Sequence, residues 1–203
     1  NKPEVGTEAK KLFADGKKML EDIIANKRFT SRAVAGFWPA NSVGDDVEIY
    51  GDESRVEQIA TFHFLRQQRQ KKEGQICRSL SDNVAPKDSG RIDSFGGFAV
   101  TMGQEVEDYA ATFRDAGDDY TAIIVQSLGD RLAEASAEYL HKTLRHQCGI
   151  GQGEGFAAET KIDEEQAKFL IKEKYRGIRP AAGYPSCPDH SEKAVLWDLL
   201  EVE

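Results

Sequence analysis

Apolar residues recur with helical spacing near the start of the chain and through much of its second half. The first such set predicts a core-facing helix over residues 7–26, with Thr7 as its N-cap, and consists of Leu12, Phe13, Met19, Leu20, Ile23 and Ile24. Later patterns predict a short helix over 104–115 and a long one over 119–146. A capping box at residues 163–166 opens a helix to about Tyr175, and a last helix begins near Asp189.

Extended segments fill the part of the chain between these helices. Residues 31–41 predict a strand that ends at Pro39, residues 47–50 alternate apolar and polar, and residues 56–64 and 96–102 also read as strands. No regular crossover helices connect them, which favours an antiparallel sheet. Because the strands come mostly first and the helices mostly later, the predicted class is α+β.

The long predicted helix over 119–146 has two contrasting faces. Its expected apolar face carries Ile124, Leu128, Leu132, Ala135 and Tyr139. The opposite side is a polar stripe of Asp130, Arg131, Glu134, Glu138 and His141. Such a stripe usually indicates a solvated face with local ion pairs, and the residues alone favour that interpretation.

Composition narrows the class of protein. With 203 residues, 39% hydrophobic and 31% charged, the chain suits one domain with its own core. A net charge of −8 disfavours a nucleic-acid partner, and no apolar run reaches the length of a membrane span. The absence of a signal segment and the odd set of Cys77, Cys148 and Cys187 predict reduced thiols in a cytoplasmic protein.

Three short patterns invite chemical interpretations that their spacing does not support. The adjacent carboxylates of Asp45 and Asp46 point to opposite sides of an extended chain, so a solvated turn is expected. Only Cys187 and His190 lie at a spacing suited to zinc, which usually needs paired ligands. The glycine-rich residues 149–156 lack the spacing of a phosphate loop and read as a flexible linker. No metal site is predicted.

Residues 179–193, here called the motif segment, contain three of the chain's six prolines. Pro180, Pro185 and Pro188 each fix a φ angle and remove a backbone donor, and Gly183 provides a position without a Cβ atom. The expected result is a stiff turn whose backbone groups are not paired by the chain itself. Composition leaves two interpretations open: a connector packed on a core, or a small-molecule site built from backbone groups beside the Arg179 guanidinium.

The motif segment resembles the Arg-x-x-x-Gly-Tyr signature of the activation domain of cobalamin-dependent methionine synthase. Blocks over residues 36–46, 80–90, 96–101, 118–141 and 175–193 are similar to the same family in the same order. Two departures are small: Ala182 stands where proline is common, and Ser136 where phenylalanine is common. The resemblance implies that residues 1–203 are a fragment of the domain, with family segments missing at both ends and an incomplete site.

This resemblance implies a C-shaped single α+β domain around a bent antiparallel sheet with flanking helices. It further implies an S-adenosylmethionine-binding module of a methyltransferase, which supports reductive methylation of inactive cob(II)alamin. The cobalamin belongs to a separate module, and the electron comes from a flavodoxin-type partner. The alternative is a corrinoid-handling or partner-docking module without a ligand of its own; an unrelated metal hydrolase is disfavoured.

By the same resemblance, Arg179 engages the methionyl carboxylate, and the backbone of residues 180–184 holds the rest of the ligand. The implied ligand-contacting positions are Arg179, Pro180, Ala181, Gly183, Tyr184, Glu134 and Glu173. The two glutamates match acidic family positions near the site. Asp130 and Arg131 match positions on the surface that meets the cobalamin module. No catalytic side chain is implied, because the reacting atoms belong to the cofactors.

Overall fold

The computed structural model describes residues 3–155 and 161–202, which divide into two compact units. The first unit comprises Asn1–Ala33 and Val100–Arg176, and the second comprises Val34–Ala99 and Gly177–Glu203. Within the described ranges, no helix is both long and apolar enough to cross a membrane. The chain therefore passes between the units at residues 33–34, 99–100 and 176–177.

A four-stranded sheet has the order β3–β2–β1–β4. The strands are β1 (Arg32–Val43), β2 (Asp46–Tyr50), β3 (Gln58–His63) and β4 (Asp93–Thr101). The β1–β2 and β2–β3 pairs are antiparallel, with Val43 opposite Asp46 across a two-residue turn and Val47 opposite Phe62. Gly44 takes a φ of 64° in that turn, where a residue with a Cβ atom is disfavoured. Together with the helices, this sheet confirms the predicted α+β class.

Pro39 does not end its strand, so that prediction is wrong. Strand β1 continues through Pro39 to Val43. The register between β1 and β2 begins at Ala40, opposite Ile49. Pro39 thus lies just before this ladder, where its missing N–H removes none of the ladder's hydrogen bonds.

The second unit has a core formed by the inner face of the sheet. Its buried residues are Ala40, Val47, Ile49, Phe62, Phe64, Val84 and Cys187. Helix α5 (Glu192–Leu200) packs Val195, Leu196 and Leu199 against this cluster, as the sequence predicts. The Glu192 side chain is buried and accepts a hydrogen bond from the N–H of His63 at 2.9 Å, which ties α5 to the end of β3.

The first unit contains the other four helices. These are α1 (Pro3–Ala25), α2 (Glu105–Asp115), α3 (Asp119–Gln147) and α4 (Glu164–Ile171). Ala110 of α2 and Ala122 and Val125 of α3 form the buried centre. The Asp163–Gln166 capping box opens α4 as predicted, but α4 ends at Ile171 rather than near Tyr175.

Helix α1 departs from its predicted role in two ways. It begins at Pro3, so Thr7 lies inside the helix and is not its N-cap. Ile23 is buried and Met19 packs against the core, but Phe13 is 75% exposed, and Leu12 and Ile24 are exposed as well. Helical periodicity identifies the apolar face of a helix. Burial of that face also requires another element to pack against it, and within the first unit only part of α1 is covered in this way.

Candidate functional site

The motif segment forms a closed turn that lies between residues 176–177, where the chain enters the second unit, and α5. The Gly183 N–H donates to the Cys187 carbonyl at 2.8 Å, and the Cys187 N–H donates to the Tyr184 carbonyl at 2.9 Å. The Tyr184 N–H donates to the Ala181 carbonyl at 3.2 Å. The expectation that the chain leaves these groups unpaired is therefore wrong for the amides of Gly183 and Tyr184.

Several carbonyl oxygens of the same turn also remain available. Within residues 3–155 and 161–202, the carbonyls of Pro180, Ala182 and Gly183 accept no backbone or side-chain hydrogen bond. The imbalance follows from the prolines, since each contributes an acceptor and no donor. A turn with spare acceptors is suited to a ligand that carries amino groups or positive charge.

Gly183 is required by the geometry of this turn. Its φ is 95°, a value that residues with a side chain rarely adopt. A Cβ atom placed on it would lie 2.4 Å from Nε2 of His190, well inside van der Waals contact. The imidazole of His190 therefore lies directly against the Gly183 backbone. The sequence predicted a strained or close-approach glycine here, and the structure shows both properties.

One side of the turn packs on the core of the second unit, and Tyr184 on the turn is exposed to solvent. Cys187 is 5% exposed and belongs to the core of the second unit, and Ala182 packs against the same cluster. Burial raises the pKa of the Cys187 thiol, so this sulfur is a packing group rather than a nucleophile. Tyr184 is 64% exposed and presents its ring to solvent. Arg179, at the start of the turn, is half-buried.

The end of the motif segment is held by a local hydrogen bond. Oδ1 of Asp189 accepts the Ser191 N–H at 2.9 Å, one residue before α5 begins. This bond lowers the pKa of the Asp189 carboxyl below its ordinary value. In the part of the chain that the structure describes, no three His, Cys, Asp or Glu side chains gather as a metal site would require.

The remaining predicted site residues belong to the first unit. Asp130, Arg131 and Glu134 are exposed on α3, and Nη1 of Arg131 contacts Oε2 of Glu134 at 2.7 Å. Glu173 is exposed and follows α4, where its φ of 50° breaks the helical conformation. The structure thus brings Arg131 and Glu134 together as a surface ion pair one turn apart on a helix.

The end of α3 contains a buried ion cluster that the sequence analysis missed, formed by Arg145, Glu154, His141, His146 and Tyr175. Arg145 and Glu154 have side chains only 3% and 6% exposed and are joined by three hydrogen bonds of 2.9–3.0 Å. The Arg145 guanidinium lies 3.7 Å from the centre of the Tyr175 ring.

Two predictions about this region are wrong. Residues 149–156 were read as a flexible linker, but residues 150–153 form a 3₁₀ turn that presents Glu154 to Arg145; Phe156 lies outside the described residues. His141 was assigned to the solvated stripe, yet it is buried and its Nδ1 accepts a hydrogen bond from Arg145 at 3.1 Å. In the sequence, the one feature that indicates this cluster is a lone glutamate, Glu154, inside a glycine-rich run.

The expected apolar face of α3 is also only partly correct. Ile124 is buried as predicted, whereas Ala135 and Tyr139 are exposed. Lys142, in contrast, is fully buried, with its ammonium 5.2 Å from the Tyr139 ring centre. Toward its C-terminus, therefore, α3 buries a polar side that the sequence places in solvent.

Comparison with known proteins identifies the family. A sequence model described as "Vitamin B12 dependent methionine synthase, activation domain" matches residues 1–203. The chain belongs to this family. The resemblance carried by the motif segment is thereby confirmed, and the chain is related to a regulatory module of an enzyme rather than to a complete catalyst.

A solved structure of an activation domain has the same fold. It is described as the crystal structure of the MetH reactivation domain bound to AdoHcy, and it superposes with a TM-score of 0.82 at 48% sequence identity. The match covers 97% of this chain and 58% of the other, so the chain spans just over half the length of that relative.

Proposed function

We propose that this domain binds S-adenosylmethionine and supports the reductive methylation of cob(II)alamin in a cobalamin-dependent methionine synthase. The motif turn supports the proposal: the Gly183, Tyr184 and Cys187 amides are satisfied within the turn, while the carbonyl oxygens of Pro180, Ala182 and Gly183 accept no hydrogen bond from the described residues. Family membership supports it, as does the related structure that holds AdoHcy, the product left when the methyl group departs.

Arg179 is assigned to the methionyl carboxylate of the ligand. A guanidinium offers two parallel N–H groups that match a carboxylate. In the turn that follows, the spare carbonyls of Pro180, Ala182 and Gly183 accept hydrogen bonds from amino groups of the ligand. Ala181 contributes by holding the Tyr184 amide, and the exposed ring of Tyr184 offers a flat apolar face.

The electrostatic character of the turn suits a sulfonium. S-adenosylmethionine carries a permanent positive charge at the sulfur bonded to the transferred methyl group. Carbonyl oxygens stabilise that charge through their dipoles without becoming nucleophiles themselves. Glu134 and Glu173 are assigned a supporting role, in which their negative charges favour the sulfonium or the ligand's ammonium group.

When bound, S-adenosylmethionine would supply an electrophilic methyl group to the cobalamin of a separate module, with one electron supplied by a flavodoxin-type donor. The reaction consumes cob(II)alamin, one electron and S-adenosylmethionine, and it yields methylcobalamin and S-adenosylhomocysteine. The role of this domain is to bind and orient the methyl donor. Asp130 and Arg131 are assigned to the surface that meets the cobalamin module, and the enzyme is placed in the cytoplasm.

The substitution Arg179→Lys tests the assignment in the full-length protein. Because a point charge cannot reproduce the two-bond geometry, we expect S-adenosylmethionine binding to weaken by about 1.5–3 kcal/mol, or about tenfold to a hundredfold in Kd. Titration calorimetry measures the affinity, and a ligand-free thermal melt measures stability. Arg176→Lys, three residues earlier at an exposed arginine, is the matched control and leaves affinity unchanged.

Two outcomes contradict the proposal in different ways. If Arg179→Lys lowers the ligand-free melting temperature while affinity holds, Arg179 is a structural residue and the site assignment fails. If the parent protein binds neither S-adenosylmethionine nor S-adenosylhomocysteine, the domain is a docking module without its own ligand.

A further inference from the structure

The connector between α4 and the motif segment, residues 172–178, is packed at one residue only. Helix α4 ends at Ile171, and the connector contains no helix or strand. Every connector residue except Tyr175 is exposed, and Tyr175 is half-buried. The amides of residues 172–174 donate to carbonyls of α4, whereas residues 176–178 form no hydrogen bond with the part of the chain that the structure describes. Tyr175 is therefore the point at which side-chain packing holds the connector.

The aromatic ring of Tyr175 is held by two side chains of α3. The guanidinium carbon of Arg145 lies 3.7 Å from the centre of the ring, well within the range of a cation–π contact. The ring of His141 meets it edge to face, with the ring centres 5.3 Å apart and the planes at 77°. Both partners lie on one face of the helix, because positions 141 and 145 are one turn apart.

The Arg145 side chain is itself held from several directions, so it offers the Tyr175 ring a fixed surface. Its guanidinium makes three hydrogen bonds of 2.9–3.0 Å to the buried Glu154 carboxylate. It also donates to Nδ1 of His141 at 3.1 Å. A different rotamer of Arg145 would leave Glu154 buried without its partner, which is strongly unfavourable. The buried ion cluster is therefore a rigid support for Tyr175.

Tyr175 lies between two residues that the proposed function assigns to the ligand. Glu173 precedes it by two positions, and Arg179 follows it by four. Since each residue extends a chain by at most about 3.3–3.6 Å, a fixed Tyr175 confines the backbone of Arg179 to within about 14 Å. On the other side, the Glu173 N–H donates to the Leu170 carbonyl at 2.9 Å, which ties Glu173 to the end of α4. The anchored ring thus restricts the motion of both residues.

We propose that the buried ion cluster holds Tyr175 so that Arg179 and Glu173 are positioned for the ligand before it binds. This inference rests on the proposed function, to which it adds the residues that preorganise the site. Arg145, His141 and Tyr175 are positioning residues, which act through the connector and do not touch the ligand. Residues that are already held in place lose less conformational entropy on binding, so the ligand binds more tightly than it would to a free loop.

The test compares three variants of the full-length protein with the parent. Tyr175→Leu removes the ring that contacts Arg145 and keeps an apolar side chain. Tyr175→Phe keeps the ring and removes only the hydroxyl. Tyr120→Leu is the matched control: Tyr120 is an exposed tyrosine of α3 whose hydroxyl donates to Asp15 at 2.9 Å. It lies about 35–40 Å along the helix from Arg145.

We expect Tyr175→Leu to weaken the binding of S-adenosylmethionine and S-adenosylhomocysteine about threefold to tenfold, because the ligand must then order the Arg179 side chain itself. Tyr175→Phe and Tyr120→Leu keep the affinity of the parent. Titration calorimetry measures the affinities at a temperature where thermal melts show that every variant is folded. Trypsin cleavage after Lys174 and Arg176, located by mass spectrometry, is faster in Tyr175→Leu than in the other proteins, because the connector is no longer held.

The parent protein provides a second measurement that does not depend on the folding of Tyr175→Leu. If the connector is held before binding, trypsin cleaves the ligand-free and the ligand-saturated parent after Lys174 and Arg176 at similar rates. Strong protection by S-adenosylhomocysteine would show that the connector becomes ordered only on binding, and would overturn the inference.

Three results with the variants would also overturn it while leaving the proposed function intact. The first is parent-like affinity in a folded Tyr175→Leu. The second is an equal loss in Tyr120→Leu, which would indicate a general loss of stability. The third is an equal loss in Tyr175→Phe, which would place the effect at the hydroxyl and not at the packed ring. Failure of the parent to bind either ligand is the separate result that removes the proposed function.

Discussion

The motif segment and the C-terminal half of α3 both concentrate polar groups, but they hold them in opposite ways. In the motif turn, the polar groups are backbone atoms. Prolines fix its φ angles, Gly183 permits a φ of 95°, and the amides of Gly183 and Cys187 donate hydrogen bonds within the turn. The end of α3 is built from side chains: Arg145 and Glu154 are buried together and stacked against Tyr175.

The contrast is the reason why the ligand site is proposed at the motif turn. In the motif turn, the carbonyl oxygens of Pro180, Ala182 and Gly183 accept no hydrogen bond from the described residues, so a ligand could use them without breaking an internal bond. In the buried ion cluster, the charges are already paired and shielded from water, so they stabilise the first unit and have little capacity for another partner.

The strongest test of this contrast removes one member of the buried pair. Because Arg145→Met leaves Glu154 buried without its partner, we expect the free energy of unfolding to fall by about 3–5 kcal/mol. The exposed pair of Lys168 and Glu164 on α4 gives the control, and Lys168→Met changes stability by less than about 1 kcal/mol. Urea denaturation measures both. Equal losses in the two variants would show that the cluster is no more than a surface ion pair.

The next test removes the backbone freedom of the motif turn. Gly183→Ala must place a Cβ atom at a φ of 95° and against His190, so we expect S-adenosylmethionine affinity to fall at least tenfold, or about 1.4 kcal/mol. Gly44→Ala, at a φ of 64° with open space around it, is the control. It loses about 1–2 kcal/mol of stability through backbone strain alone and keeps its affinity. Unchanged calorimetric affinity in Gly183→Ala would remove the argument from a backbone-built site.

A smaller effect, on the rate of reactivation, is expected from substitutions in the exposed polar stripe of α3. Asp130→Ala and Arg131→Ala should slow reactivation of the full-length protein several-fold through weaker docking of the cobalamin module. Their stability and ligand affinity should stay close to the parent, since exposed charges contribute about 0–1 kcal/mol. Glu165→Ala on α4 is an exposed control outside the proposed surface. Parent-like reactivation rates in both stripe variants would exclude this surface from docking.

The smallest expected effect is the pH dependence of stability that comes from Asp189, near the end of the motif segment. The Ser191 N–H lowers the folded-state pKa of Asp189 below 3.8, so the bond contributes stability above the unfolded pKa. That contribution is lost as pH falls through the lower folded value. An NMR titration of the Asp189 carboxyl carbon should give a midpoint below 3.8. A midpoint at or above 3.8 would show that the bond does not form in solution.

Local patterns predicted the elements of this protein well where short-range chemistry decides the conformation. The alternation of residues 47–50, the capping box of α4 and the glycine in the motif turn all follow from neighbours along the chain. The family resemblance likewise came from contiguous blocks, and the family match confirms it. The assignment of ligand-contacting residues stays a prediction.

Patterns failed where a distant segment decided the outcome. Pro39 reads as a strand end, but its effect depends on where β2 begins to pair. His141 was predicted to be solvated, because helical periodicity does not show which partner will cover a polar face. Leu12 and Phe13 read as core for the converse reason, and both are exposed.

The sequence by itself determined the α+β class, the order of its elements and the stiff turn of the motif segment, because proline and glycine constrain the backbone wherever they stand. Tertiary structure decided which charges are shielded and which are displayed. Glu154 is buried because a 3₁₀ turn brings it to Arg145, whereas Arg66 joins Asp45 and Asp82 at the base of the loop that follows β3. Burial and ion pairing depend on contacts between segments far apart in the chain, which no local pattern records.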